Sequence, residues 1–133
     1  MADRQYSGMS DEQLAQAFIE ISTKEADAMG LRNSREVNRL IKQLRAIEET
    51  LRARGPESRK VLVPLLRYSG VPSPFAKDLE AQVRLNAAKE LLAVVPEQAR
   101  ATLEDLAAHG PSAQRGDAGM CLQFLDDGIF KPT

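Results

Sequence analysis

Apolar residues along the chain recur at three- and four-residue intervals, the period expected of α-helices that are buried on one side. Six segments carry this pattern, and most of the breaks between them fall at glycine or proline. The predicted helices span residues 11–29, 35–54, 57–69, 78–95, 97–108 and 113–126. The pattern therefore predicts an all-α fold of about six antiparallel helices joined mostly by short turns.

The helix predicted over 78–95 is apolar on two neighbouring stripes. One stripe comprises Val83, Ala87, Leu91 and Val94, and the other comprises Leu85, Ala88, Leu92 and Val95. Together they cover roughly 200° of the helix surface, about twice the apolar width of an ordinary surface helix. Such a helix needs cover on two sides, so we expect it in the middle of a helical stack.

Helix-capping and helix-breaking residues set the predicted boundaries of the helices and of the domain. Ser10 with Gln13 forms a capping box at the start of the first helix. We therefore expect a flexible tail over residues 1–9, one helical domain over 10–128, and a second tail over 129–133. Pro64 interrupts the third helix and is expected to bend it. Gly116 and Gly119 weaken the last helix, which predicts a close helix crossing there.

Residues 61–66, Asp78 and residues 83–92 together resemble one HEAT repeat. These repeats carry a proline in the first helix, an aspartate near the turn, and Val-Arg followed by paired small residues in the second helix. The matching residues here are Pro64, Asp78, Val83, Arg84, Ala87 and Ala88. Taken whole, the chain is similar to a small bacterial HEAT-like family of unknown function, through residues 38–40, 83–88 and 116–120. The resemblance implies an α-α superhelix of the HEAT/armadillo type and no established activity.

The distribution of apolar residues and the number of cysteines argue against a membrane protein and a secreted one. No run of about 18 apolar residues is present, which argues against a membrane span. The first residues are polar and lack the apolar core of a secretory signal. The single cysteine cannot form an internal disulfide. These features predict a cytoplasmic protein.

Charge is unevenly distributed, although the net charge is only −1. Residues 32–60 hold nine basic and four acidic side chains, whereas the segments before and after are acidic. Arg35, Arg39, Lys42 and Arg45 lie opposite the apolar stripe of the second helix, and we call them the basic face. The basic face predicts a contact with an acidic protein partner. The alternative is a solvated helix surface that binds nothing.

Arg84 lies within the apolar arc of the central helix. A buried charge without a partner costs several kcal/mol, so we expect a structural ion pair with Asp78 or Asp117. The alternative is an anion site in a groove.

No set of residues points to catalysis. Cys121 lies among apolar residues, as an inert buried thiol does, and His109 is the only histidine. No phosphate loop, nucleophile elbow or metal-binding motif is present, so neither a cofactor nor a metal is expected.

The sequence therefore favours a non-enzymatic protein that binds another macromolecule, most readily a protein. Nucleic-acid binding is one alternative, including base excision as in HEAT-like DNA glycosylases, but the net charge and the few aromatic residues do not favour it. An immunity or antitoxin role is another. The oligomeric state is not predicted.

Overall fold

The computed structural model describes residues 2–133, with side chains from Gln5 onward. Over that range 78% of the residues are helical and none is in a strand. The seven α-helices are α1 (Ala2–Ser7), α2 (Asp11–Gly30), α3 (Ser34–Arg54), α4 (Pro56–Arg59), α5 (Ala76–Leu91), α6 (Pro96–His109) and α7 (Ser112–Asp126). A 3₁₀ helix, Lys60–Arg67, lies between α4 and α5. The all-α prediction is confirmed.

The chain divides into two compact units, Met1–Leu62 and Val63–Thr133, where the sequence predicted one domain over 10–128. The division falls inside the 3₁₀ helix, one residue before Pro64. Proline lacks the backbone N–H and crowds the preceding turn of an α-helix. The continuous helix predicted over 57–69 is accordingly replaced by the short α4 and the tighter 3₁₀ helix.

The first unit is built on the packing of α2 against α3. The Gln13 backbone N–H donates to Ser10 Oγ at 3.1 Å and the Ser10 N–H donates to Gln13 Oε1 at 2.9 Å, so the predicted capping box is confirmed. Asn33 Oδ1 accepts from the Glu36 N–H at the start of α3. The fully buried core side chains of this unit are Leu14, Phe18, Leu40, Ile47, Leu51 and Leu62.

The predicted N-terminal tail contains helix α1, which packs against α3. Tyr6 is only 3% exposed. Arg54, at the end of α3, donates through Nη2 to the Ser7 carbonyl oxygen at 3.1 Å. The prediction of a loose tail is wrong here because these contacts join residues more than forty positions apart, which local sequence patterns do not reveal.

In the second unit α6 packs against both α5 and α7, and α5 also contacts α7. Val83, Leu85, Ala88 and Leu91 on α5 are at most 1% exposed, so the predicted broad burial of this helix is present. The helix ends at Leu91, earlier than predicted. The Val95 N–H still donates to the Leu91 carbonyl at 2.8 Å, in the turn before Pro96.

A buried amide network joins α5 to α7. Gln114 Nε2 donates to Gln82 Oε1 at 2.9 Å, and Gln82 Nε2 donates to Asn86 Oδ1 at 3.1 Å. All three side chains are at most 7% exposed. The Gln114–Gln82 hydrogen bond links α5 to α7, whereas Gln114 Oε1 is buried without a hydrogen-bond partner in the described part of the chain.

Three glycines near α7 have different surroundings. A β-carbon at Gly110, in the turn between α6 and α7, would lie 2.6 Å from the Leu106 carbonyl oxygen. A β-carbon at Gly116 or Gly119 would meet no atom within 4 Å apart from its chain neighbours and the backbone of its own helix. The prediction that these two glycines allow a close crossing within the chain is therefore wrong. After α7, residues 129–133 form neither helix nor strand.

Candidate functional site

The basic face lies on the solvent side of α3. Arg35, Arg39, Lys42 and Arg45 are all exposed. Their spacing of three and four residues aligns them along one side of the helix. The opposite side buries the apolar stripe of α3, so the position of the basic face follows from helical periodicity alone.

Within the part of the chain that the structure describes, Arg39 is the one member of the basic face with an ion-pair partner. Arg39 forms a bidentate ion pair with Glu36, with 3.0 Å between Arg39 Nε and Glu36 Oε2. The hydrogen bond from Arg39 lowers the pKa of Glu36, and the positive charge of nearby Lys24 acts in the same direction. Arg35, Lys42 and Arg45 have no side-chain partner among the described residues. The arrangement presents three unpaired cations that can bind carboxylates or other anions.

Arg84 does not form the ion pair predicted for it. Its Nε donates to the Glu80 carbonyl oxygen at 3.5 Å, which is a weak contact within one turn of α5. Asp117 instead binds Lys89, with 3.3 Å between Nζ and Oδ1. Asp78 is exposed and makes no ion pair in the described part of the chain. The prediction is wrong because Arg84 is half-buried and reaches solvent, so no ion pair is required to compensate its charge.

Arg84 lines two open clefts in the second unit. One, of about 790 Å³, is also lined by Arg67, Glu97 and Asp105. The other, of about 760 Å³, is also lined by Asp105 and His109. Sequence patterns did not identify Asp105, because a lone carboxylate between core positions of a helix carries no signal. Both clefts mix cations with carboxylates, so neither concentrates one sign of charge.

The remaining reactive group that the sequence singled out is the Cys121 thiol, which is free and buried. Burial raises the pKa of the Cys121 thiol, which disfavours the nucleophilic thiolate. Among residues 2–133, no group of three His, Cys, Asp or Glu side chains converges in a way that could hold a metal ion. No helix in the described range is both long and apolar enough to cross a membrane.

Comparison with known proteins identifies the family but not an activity. The chain matches, over residues 12–126, the sequence profile of a family described as Domain of unknown function (DUF2019). The crystal structure of the protein RPA1889 from Rhodopseudomonas palustris CGA009 is similar, with 37% sequence identity and a TM-score of 0.83 over 96% of this chain and 97% of that one. A search of curated proteins gave no match. The chain therefore belongs to the DUF2019 family.

Proposed function

We propose that the protein is a non-enzymatic cytoplasmic binding protein whose basic face holds an acidic surface of a protein partner. The observation that carries the proposal is the set of three exposed cations, Arg35, Lys42 and Arg45, which have no side-chain partner among residues 5–133. The compartment is inferred from the single cysteine, Cys121, which is free and buried.

Charge repulsion supports this interpretation. Arg35, Arg39 and Lys42 are neighbours at four- and three-residue spacing, where like charges destabilise a helix. Glu36 relieves only Arg39. Carboxylates of a partner would remove the remaining repulsion, and the positive potential of the face would accelerate the encounter with an acidic surface.

The experiment is a pull-down from the native host with the partner identified, comparing the wild type with a double charge reversal, Arg35→Glu/Lys42→Glu. The matched control is Lys77→Glu/Lys131→Glu, which makes the same charge change at exposed lysines outside α3. The wild type and the control should retain an acidic protein, and the α3 variant should lose at least about tenfold of it. Equal retention by all three proteins would falsify the proposal.

Nucleic acid is the competing ligand for an exposed row of cations. Fluorescence anisotropy against a labelled DNA duplex and a labelled glutamate-rich peptide of equal charge distinguishes the two ligands. We expect the peptide to bind more tightly, because nucleic-acid binding favours a broadly basic surface with aromatic residues, whereas this chain has 18 basic against 19 acidic side chains and only 5% aromatic residues. Tighter binding to the duplex, lost in Arg35→Glu/Lys42→Glu, would overturn the choice of a protein partner.

We also infer a HEAT-like stacking of the helices into an α-α superhelix. Support comes from the order of elements in the segment that resembles a HEAT repeat. A 3₁₀ helix containing Pro64 comes first, and α5 follows with Val83 and Ala87 fully buried. In such a stack each helix pair contacts only its neighbours. An experimental structure tests this inference, and a closed bundle of helices would contradict it.

A further inference from the structure

The charged side chains that line the larger cleft of the second unit are not paired with one another. Arg67, Arg84, Glu97 and Asp105 border this space of about 790 Å³, and none of the four forms an ion pair with a described residue. We call this space the α6 cleft. Its volume lies within the range of about 300–1,000 Å³ that small-molecule sites occupy. Unpaired charges of both signs in one cleft are available to a ligand.

Two sides of α6 differ in how their charges are compensated. Glu97 and Asp105, eight residues or about two turns apart, both line the α6 cleft. On the side that meets α7, Arg100 lies 2.9 Å from Asp126 and 3.6 Å from Glu104. The second unit therefore pairs the charges of α6 beside α7 and leaves those in the α6 cleft unpaired.

Arg84 and Asp105 lie where the two clefts of the second unit meet, because each of them lines both. The hydrogen bond from Arg84 to the Glu80 carbonyl oxygen is long, at 3.5 Å, and involves Nε alone. The two Nη groups are therefore available to a ligand. Asp105 is exposed and accepts no hydrogen bond from the described residues. A guanidinium and a carboxylate thus border one space without binding each other.

A zwitterion matches this arrangement better than a simple anion does. Arginine binds a carboxylate through two parallel N–H donors, and a carboxylate such as that of Asp105 accepts strong hydrogen bonds from an ammonium group. A free α-amino acid carries both groups on one carbon, so it can join Arg84 to Asp105 although the two side chains do not meet. A simple anion would satisfy Arg84 but would be repelled by Asp105 and Glu97.

The 3₁₀ helix adds an apolar wall to the α6 cleft. Val63 is half-buried and Pro64 is exposed, and both line the cleft. Thr102 Oγ1 donates to the Leu66 carbonyl oxygen at 3.4 Å, which connects α6 to this wall. Small-molecule sites combine apolar walls with a few polar groups that fix the orientation of the ligand. The wall therefore favours a ligand with an apolar side chain.

We propose that the α6 cleft binds a free α-amino acid with an apolar side chain, with Arg84 holding its carboxylate and Asp105 its ammonium group. The site lies in the second unit, whereas the proposed function rests on α3 in the first. Arg84→Met is expected to keep the binding of the glutamate-rich peptide, so the two proposals can fail independently.

Titration of isotope-labelled protein with each standard L-amino acid, followed by NMR, tests the site directly. At least one apolar amino acid should shift the resonances of the α6 cleft at concentrations up to about 10 mM. Its amide, which lacks the carboxylate, and its N-acetyl derivative, which lacks the ammonium group, should bind at least about tenfold more weakly. No binding of any apolar amino acid would overturn the proposal. Inorganic phosphate that binds as tightly as the amino acid would overturn the choice of a zwitterion.

Arg84→Met and Asp105→Asn locate the site, because each removes one of the two charges. Each should weaken binding of the amino acid at least about tenfold. Arg115→Met and Asp127→Asn are the matched controls, since both residues lie outside the two clefts, and they should leave the affinity unchanged. The NMR spectrum of each variant also shows whether it is folded. Equal effects of the site variants and the controls would contradict binding in the α6 cleft.

The same variants test the orientation of the ligand. In Arg84→Met the amide should bind as well as the amino acid, because the group that recognises the carboxylate is gone, while the N-acetyl derivative should still bind weakly. Asp105→Asn should show the opposite preference. If the two variants exchange these patterns, or if neither changes the preference, the roles assigned to Arg84 and Asp105 are wrong.

Discussion

Arg54 connects three helices of the first unit through two side-chain contacts. Its Nη1 lies 2.9 Å from Asp11 Oδ1 at the start of α2, and its Nη2 binds the Ser7 carbonyl at the end of α1. The Arg54 and Asp11 side chains are 27% and 33% exposed, so solvent screens the ion pair only in part. Hydrogen bonds from Arg54 and then Ser58 lower the pKa of Asp11.

Asp11→Asn should reduce the free energy of unfolding by about 0.5 kcal/mol at pH 7, as expected of a partly exposed pair. The pKa of Asp11 is lower in the folded chain, so the contribution is complete above the ordinary Asp pKa of about 4 and disappears as the pH falls below it. Urea unfolding of both proteins at pH 7 and at about pH 2.5 measures this. Glu12→Gln in the same first turn is the control for the helix dipole. Equal losses in the two variants would assign the effect to the dipole.

Arg84→Met is expected to change the free energy of unfolding by less than about 1 kcal/mol, because it removes one long hydrogen bond and keeps the apolar stem. An arginine in a buried ion pair would instead cost about 3–5 kcal/mol when lost. Leu85→Ala on the same helix is the comparison, with an expected loss of about 2–5 kcal/mol because Leu85 is 1% exposed. Urea denaturation measures the free energy of unfolding of both variants. If Arg84→Met loses as much of it as Leu85→Ala, Arg84 has a structural role.

At the scale of elements, the turn between α6 and α7 depends on Gly110. A β-carbon there would lie 2.6 Å from a backbone oxygen, which cannot move as a flexible side chain can. Gly110→Ala should therefore lower the free energy of unfolding by about 1–3 kcal/mol. Gly116→Ala is the matched control and should raise it by up to about 1 kcal/mol, since its β-carbon meets open space. Thermal unfolding of the two variants at low concentration should show shifts of opposite sign.

Elements that depend on nearby residues were predictable from the sequence. The capping box at Ser10 and the two-sided burial of α5 involve residues within a few turns of one another, and both predictions agree with the structure. Helix α1 was missed because it is held by α3, far along the chain. The sequence does not distinguish the roles of Gly110 and Gly116. The structure does, because the Leu106 carbonyl oxygen lies against Gly110.

In the candidate site, too, features set within one helix were predictable, and contacts between helices were not. The exposure of the basic face follows from the apolar stripe of α3, because the two lie on opposite sides of one helix. The partner of Arg84 depends on the distance between helices, which the sequence does not contain. The sequence consequently predicted an ion pair with Asp78 or Asp117, whereas Asp117 binds Lys89.

At the scale of the whole molecule, the proposed contact of the basic face is electrostatic, although the chain carries a net charge of only −1. Binding by the basic face relies on exposed charges, which salt screens with a Debye length of about 10 Å at 0.1 M and about 3 Å at 1 M.

Raising sodium chloride from about 0.05 to 0.5 M should weaken binding of the glutamate-rich peptide at least about tenfold, because screened charges contribute little. Fluorescence anisotropy of the labelled peptide measures the effect. Lys77→Glu/Lys131→Glu should keep the same salt dependence, because both substitutions lie outside α3. A peptide affinity that stays unchanged over this range of salt would mean that exposed charges do not hold the peptide.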